Sequence, residues 1–442
     1  MNPTAEIIQK IVHEQRNAYI TGEAGTGKSY LLSEIAGELM TAGRRFVVLA
    51  PTGLAAVNVH GQTIHKFCGL PPKPGYEMLE TMESLFKPRK QKLLKQLDVV
   101  IIDEISMVRA DLLDTLDAYF RLNRERPAEP FGGLQIVMFG DHFQLPPILR
   151  RDEEQTFGQF YNSPYFFSAR VYPLLDLFNC KLLHNYRQSD KEFIGILKTI
   201  RGGHVGAGEL AQINERLQIT PDFDEEYTIT IAGRNNQVDE KNNYYLSRLG
   251  GKETLHRAVV EGNFDPKQTP AQAELRLKVG AQVMFVRNDP EGQWVNGTIG
   301  KIMAMKPDVL QVAIPTGTGR NKIALVEAAE WERIEYTMNI ETGRIEEGVT
   351  GRLIQFPLKL AWAVTIHKSQ GQTYDSCFVD LGYSAFAPGQ TYVALSRART
   401  LEGLHLKRPL QARDLILNRA ILDYEARTEW NAELKKPGAV DK

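Results

Sequence analysis

The chain has 442 residues, 43% hydrophobic and 24% charged, which excludes a mainly disordered protein and at this length predicts more than one hydrophobic core. Its 53 Lys and Arg against 54 Asp and Glu leave a net charge of −1, so bulk charge neither announces nor rules out a polyanionic partner. Three scattered cysteines, Cys68, Cys180 and Cys377, make neither a disulfide framework nor a metal-ligand pattern. The N-terminal stretch "MNPTAEIIQKIVHEQRN" lacks the apolar centre of a leader, and no run of about 18 apolar residues follows, so no membrane span is expected and a reducing cytoplasm is the expected compartment.

The first predicted strand runs from Ala18 to Thr21, then a glycine-rich turn, then a helical pattern through Leu31, Leu32, Ile35 and Leu39. The turn reads Gly22-x-x-x-x-Gly27-Lys28-Ser29, and between a strand and a helix that spacing marks a phosphate-binding loop. Gly22, Gly25, Thr26 and Gly27 offer backbone N–H groups to phosphate at a helix N-terminus, Lys28 brings a full charge to the β/γ-phosphates, and the Ser29 hydroxyl is an oxygen ligand for magnesium. ATP and Mg²⁺ are the expected cofactors. The stretch "CGLPPKPGYEMLETMESLFKPRKQKLLKQ" interrupts the pattern, Pro-rich first and then basic and helical.

Next, "QLDVVIIDEISM" reads as a buried strand that ends in Asp103-Glu104. A magnesium nucleotide needs one carboxylate for the ion's water shell and another to orient the attacking water, and these two fit those roles in that order. The apolar run in "LQIVMFGDHFQLPPIL" closes on Gly-Asp and places Gln144 at a neighbouring strand exit, where its amide can read the γ-phosphate, with two prolines to rigidify the exit. "LLHNYRQSDKEF" sets Arg187 after an apolar run, and "ITIAGRNNQVDEKNN" sets Asn235 after a buried strand. From Leu275 to about Gly351 the strand-like segments "AQVMFVRND", "TIGKIMAM" and "VLQVAIP" alternate with turn signals such as "EGQWVNG", which reads as a small β-barrel insert. "AWAVTIHKSQGQTYD" and "QTYVALSRARTLEGLHLKR", the latter carrying Arg397, follow before a tail, "NAELKKPGAVDK", that reads as frayed.

Taken together, "GEAGTGKS", "APTGLAAVNVHGQTIHKF", "IIDEISM", "PFGGLQIVMFGDHFQLPPI", "NYRQ", "VNGTIGK", "TIHKSQGQTYD" and "YVALSRA" resemble superfamily-1 helicases of the Rec-D, Dda and Pif branch, most closely the Pif family of DNA helicases, from Gly22 to Ala398. The stretch "DEISMVRADLLDTLDAYFRLNRERPAEPFGG" is similar to the segment that separates Pif proteins from their relatives. The resemblance implies an α/β fold of two RecA-like P-loop domains with parallel sheets, a small helical or loop wedge insert and an SH3-like β-barrel insert. The corresponding boundaries are 1–66 and 92–155 for the first domain, 67–91 for the wedge, 156–280 and 352–425 for the second domain, 281–351 for the β insert and 426–442 for the tail. It also implies that Arg187 and Arg397 reach the γ-phosphate across a cleft, a contact that contributes roughly 10³ to 10⁵ in rate in enzymes that use it. At the place where the family carries an adenine-reading glutamine this chain has Ala5, and no residue is assigned to that contact.

A single strand of DNA is then expected along residues that follow strands. In the first half these are Thr52, Gly53, His65, Phe67, Phe143 and Pro146; in the second they are Asn235, Thr365, His367 and Ser369, while Gly371 and Gln372 turn back toward the nucleotide. Aromatic stacking contributes about 1–3 kcal/mol per base and tolerates any sequence. His367 and Cys377 supply only two ligands, so zinc is not expected. The reading is an ATP-dependent DNA helicase that acts on single-stranded, forked or structured DNA, monomeric or weakly self-associating, with genome maintenance through repair and recombination as its setting; 5′-to-3′ movement is implied by the resemblance. The alternatives are a single-strand-binding ATPase switch that does not unwind, and a P-loop kinase, which would need neither distant arginine nor strand-facing segments.

Overall fold

The computed structural model describes residues 3–71, 75–81, 85–186, 188, 190–217, 227–266, 269–316, 321–338 and 345–434. They form two compact units: unit 1 is Met1–Tyr186, Ile334–Val349 and Asn418–Lys442, and unit 2 is Arg187–Arg333 and Thr350–Leu417.

Unit 1 is built on strands β1 (Asn17–Gly22), β2 (Phe46–Ala50), β3 (Gln62–Thr63), β4 (Val99–Ile102), β5 (Gln135–Gly140) and β6 (Leu177–Leu182). With the C-terminal strand Ala432–Leu434 they make a seven-stranded sheet in the order Ala432–Leu434, β6, β1, β5, β4, β2, β3, parallel throughout. Runs such as "VVII" are apolar without alternation because both faces are covered. Val99 and Ile101 pack with Leu31, Leu32, Ile35 and Leu39 of helix α1 (Lys28–Thr41), whereas Val100 and Ile102 pack on the other face with Leu113 and Leu116 of helix α2 (Ala110–Arg124). Each such side chain contributes about 1.5–3 kcal/mol by leaving water.

Helix α2 lies in the family-distinguishing stretch, and its buried polar residues are anchors. Asp111 accepts hydrogen bonds from Gly75 N at 2.7 Å and from Arg109 Nε and Nη2 at 2.9 Å each. Asp114 accepts from Tyr161 Oη and the backbone of Arg170 and Val171, Asp117 accepts from Phe131 N, and Asn123 joins Leu85 O to Lys87 N. The described residues of the expected wedge are tied down by these bonds. Phe67, Cys68, Leu70, Tyr76, Met78 and Leu85 enter the core shared with α2.

The units also differ from the expected boundaries. β6 was expected beyond the first domain, yet it pairs with β1 along its whole length, from Asn17 opposite Leu177 to Gly22 opposite Leu182. Asn418 onward falls in unit 1, and part of the expected frayed tail is the strand Ala432–Leu434. Both differences come from strand pairings between residues far apart in the chain, which local composition does not register.

Unit 2 has its own parallel sheet of β7 (Ile229–Ala232), β8 (Ala363–Thr365), β9 (Cys377–Asp380) and β10 (Leu404–Leu406), in the order β8, β7, β9, β10. A five-stranded antiparallel sheet orders Asn321–Val326, Leu310–Pro315, Ile299–Met305, Gln282–Phe285 and Leu358–Leu360, so its last strand lies beyond the expected end of the β insert at 351. Phe285 and Trp294 stack at 4.4 Å in its core. No helix among the described residues is long and apolar enough to cross a membrane.

Asp111→Ala leaves the Arg109 guanidinium and Gly75 N–H without this acceptor, and an ion pair broken by removal of one buried partner costs about 3–5 kcal/mol. A loss of that size in urea unfolding is the expected result, with a larger gain in protease sensitivity near 75–87 than elsewhere.

Candidate nucleotide site and nucleic-acid track

β1 ends at Gly22, and the loop that follows turns through left-handed Gly25 (φ 87°) and Gly27 (φ 85°) before α1 starts at Lys28. Only glycine adopts that backbone without strain. At Gly22 the reason is space: a Cβ there would lie 2.4 Å from Thr26 Oγ1 and 2.8 Å from Leu182 O. The loop is folded on itself, with Thr26 Oγ1 donating to Glu23 O at 2.8 Å and Lys28 Nζ donating to Gly22 O and Glu23 O at 2.8 and 3.1 Å. Ser29 is exposed. The exit of β6 backs the loop: Asn185 Nδ2 donates to Ala24 O and Tyr186 N donates to Gly25 O. Tyr186, whose ring lies beside Gly27, is a residue the sequence reading passed over although it sits in the quoted "NYRQ".

Asp103 and Glu104 leave β4 two strands away from β1, with β5 between. Asp103 N is held by Leu49 O, and Glu104 adopts a left-handed conformation at φ 49°, a strained posture for a side-chain-bearing residue and one that concentrates at functional sites. Burial, and then the neighbouring Glu104 carboxylate, hold Asp103 well above the usual carboxylate range, while the Lys28 charge pulls it back. Two adjacent acids at one strand exit, Asp103 buried and under the Lys28 charge, are hard oxygen donors of the kind that a divalent cation relieves, so the residues fit magnesium. On β5, Thr21 of β1 faces Gly140, and the turn beyond is closed by Asp141, whose carboxylate accepts from Phe143 N at 3.2 Å and Gln144 Nε2 at 3.3 Å. Asp141 is fully buried and orients the Gln144 amide.

In unit 2 the arrangement differs from expectation. Arg397 is 0% exposed. Its guanidinium donates to Val393 O, Ser369 O, Gln372 O and Ser396 Oγ at 2.8–3.2 Å, so it knits "HKSQGQ" to "YVALSRA" instead of presenting an open finger. Gln372 likewise turns inward: Nε2 donates to Asn296 Oδ1 at 3.1 Å and Oε1 accepts from Tyr374 Oη at 2.8 Å. Asn296 and Gly297, from "VNGTIGK", thereby brace the segment after Gly371. Gln188, missed in the sequence, donates to Ser396 O and Ala398 O at 3.2 and 3.0 Å. Arg187 lies outside the described residues.

Each unit has a threonine near a strand end whose hydroxyl accepts from the backbone N–H three residues on. Thr52 follows β2 and caps a short helix through Ala55 N, and Thr365 ends β8 and accepts from Lys368 N. Gly53, His65, Pro146 and His367 are partly exposed, and Asn235 is exposed at the first turn of a helix, where Arg234 and not Asn235 holds the cap position. Burial holds His65 and His367 below the usual imidazole range. Three expected contacts are corrected. Phe67 is 1% exposed between Phe120, Tyr336 and Lys90, Phe143 is 5% exposed against Tyr165 and Ile421, and the Ser369 hydroxyl donates inward to Ile366 O. A ring enclosed on both faces has no surface left for a base.

A parallel sheet that carries a phosphate loop, an acid pair and a glutamine turn at its strand exits, in a chain with a second parallel sheet, defines a P-loop nucleoside-triphosphatase. Residues 4–210 match the PIF1-like helicase family, and residues 267–305 match the 2B domain of DNA helicase Pif1. The chain is 32% identical over 412 residues to ATP-dependent DNA helicase Pif1 of Bdellovibrio bacteriovorus, covering 92% of this chain and 87% of that protein. To ATP-dependent DNA helicase PIF1 of Danio rerio it is 35% identical over 400 residues, covering 88% of this chain but 58% of that protein. Its fold is similar to that of Bacteroides sp. Pif1 in crystal structures with ADP-AlF4 (TM-score 0.87, 35% identity) and with single-stranded DNA (TM-score 0.66, 36% identity), each covering 96% of both chains. The chain belongs to the PIF1-like helicase family.

Because the folded state resists ionising Asp103 while the unfolded chain ionises it freely, stability falls as pH rises from the ordinary aspartate range toward neutrality. Asp103→Asn removes that penalty. In metal-free buffer the variant is expected to melt above the parent at pH 8, with the gap closing toward pH 4; equal melting temperatures at pH 8 would show that the acid pair is not strained.

Proposed function

We propose that this chain is an ATP-dependent DNA helicase that translocates 5′ to 3′ on single-stranded DNA and unwinds duplex or structured DNA. The observation that carries the reading is the convergence, on adjacent strand exits of unit 1, of the folded phosphate loop, the strained Asp103-Glu104 turn and the Asp141-held Gln144. Membership of a helicase family supports DNA as the partner, and the 5′-to-3′ direction is what the motif resemblance implies.

In this reading Lys28 exchanges its loop carbonyls for phosphate oxygens, and the backbone of Gly25, Thr26 and Gly27 cradles the chain of phosphates. Ser29 and Asp103 would hold magnesium, which would supply positive charge against the developing negative charge of phosphoryl transfer. Glu104 takes a proton from the attacking water, and Gln144 hydrogen-bonds that water or the γ-phosphate. Arg187 supplies the transition-state charge. Arg397 is assigned a positioning role, since its donors are spent on the two segments it joins. Thr52, Gly53, His65 and Pro146 from unit 1, and Asn235, Thr365 and His367 from unit 2, contact the DNA backbone. Movement follows because ATP and its products favour different arrangements of the machinery that grips the strand.

Hydrolysis is expected to be strongly stimulated by single-stranded DNA, and forked duplex with a 5′ tail is expected to be unwound where one with only a 3′ tail is not. Stimulated hydrolysis without unwinding of either would identify a switch instead. Lys28→Ala should abolish hydrolysis and leave DNA binding in a fluorescence titration largely intact. Arg187→Ala should lower turnover by about 10³–10⁵ with little change in nucleotide affinity; a pure affinity defect would remove it from catalysis.

A further inference from the structure

His142 stands between Asp141 and Phe143 and is 1% exposed. Both ring nitrogens are engaged: Nδ1 lies 2.9 Å from Tyr19 Oη and Nε2 lies 3.0 Å from Glu425 Oε2. Tyr19 belongs to β1, three residues before the phosphate loop begins. Glu425 belongs to helix α3 (Arg419–Arg427) of the C-terminal segment. A carboxylate only accepts, so Nε2 carries a proton and the ring cannot flip without losing both partners. Burial acts to raise the Glu425 pKa, but the hydrogen bonds from His142 and Lys181 outweigh it and lower the value to about 2, so the group stays ionised. Lys181 bonds the other Glu425 oxygen and lies 4.1 Å over the Trp430 ring, which is nearly parallel to His142 at 13°; Tyr424 meets the imidazole edge-on at 5.3 Å. Ile421 of the same helix packs against Phe143.

The segment has a second grip. Asn431 N donates to Asn179 O at 2.9 Å, Asn431 Oδ1 accepts from Asn179 N at 2.8 Å, and the strand Ala432–Leu434 then runs parallel to Cys180–Leu182. Without that strand β6 would be an edge, and edge strands are the ones that shift and mispair. β6 is also the strand whose exit holds the phosphate loop through Asn185 and Tyr186.

From these two grips we infer that residues 418–434 form a clasp that positions two of the three nucleotide loops of unit 1, the phosphate loop and the Gln144 turn, with Glu425 and His142 as positioning residues for the latter. The inference rests on the reading that those loops hold ATP. The clasp fixes the sensor turn through His142 and Phe143 and stiffens the strand behind the phosphate loop, so the C-terminal segment contributes to hydrolysis without touching substrate.

Glu425→Gln, His142→Asn and their double variant, made in the full chain, test it by steady-state hydrolysis with and without single-stranded DNA, alongside thermal melting. Misplacement of a catalytic group by about 1 Å costs on the order of 10²-fold, so each single variant is expected to lose roughly 10- to 100-fold in kcat with little change in KM for ATP. The double variant is expected to fall no further than the worse single one, because both remove one contact. Tyr19→Phe deletes only the hydroxyl on Nδ1 and is expected to lower kcat less while folding normally. Folded variants, Tyr19→Phe included, with parental kcat, or losses that follow melting temperature alone and add up in the double variant, would overturn the clasp. Failure of the helicase reading shows separately, as parental hydrolysis indifferent to DNA, whereas the clasp is judged on hydrolysis without DNA.

Discussion

Parallel pairing of β1 between β5 and β6 is the constraint from which the nucleotide site follows. Parallel strands all end on one side, so three stretches distant in sequence deliver their exits together: the phosphate loop after β1, the acid turn after β4 and the glutamine turn after β5. The register sharpens this, since Thr21 lies opposite Gly140 and Gly22 opposite Leu182. A slip of one residue would turn Ala18 and Ile20 toward the core now filled by Tyr19, and the loop would leave the sheet from the wrong face.

Close packing around that site is bought with polar anchors as much as with apolar area. Asp111, Asp114, Asp117 and Asn123 all lie on one helix and are all buried; the three aspartates accept from backbone, arginine and tyrosine donors, and Asn123 accepts from Lys87 N and donates to Leu85 O. Their partners lie at the start of the short helix Gly75–Glu80, at Leu85 and Lys87, in the single turn Pro130–Gly133 and between Tyr161 and Val171. A single helix therefore organises three short segments, and a buried N–H or C=O group left unpaired in them would cost about 1–3 kcal/mol.

Unit 2 applies the same economy to charge. Arg397 is wholly buried, and its guanidinium donates to carbonyls and a hydroxyl from the two segments it joins, with Gln188 fastening the far side of the same turn. Asn296 and Gly297 then support Gln372. Gln188 and Ser396, more than 200 residues apart in the chain, thus belong with Asn296, "HKSQGQ" and "YVALSRA" to one hydrogen-bonded block.

The phosphate loop, the acid pair and the Gln144 turn were legible in the sequence because their chemistry is local: glycines that permit a left-handed turn, a lysine at a helix start, and carboxylates or an amide at the end of an apolar run. The family, and with it the α/β class and the two parallel sheets, was legible for the same reason, since each motif is contiguous. Tertiary structure alone decided which side chains face solvent. Phe67 and Phe143 have the composition of stacking platforms and became core, Arg397 became a tie, and "NAELKKPGAVDK" includes a strand, because burial and strand pairing depend on what the rest of the chain brings alongside, a non-local free energy that no window of sequence contains.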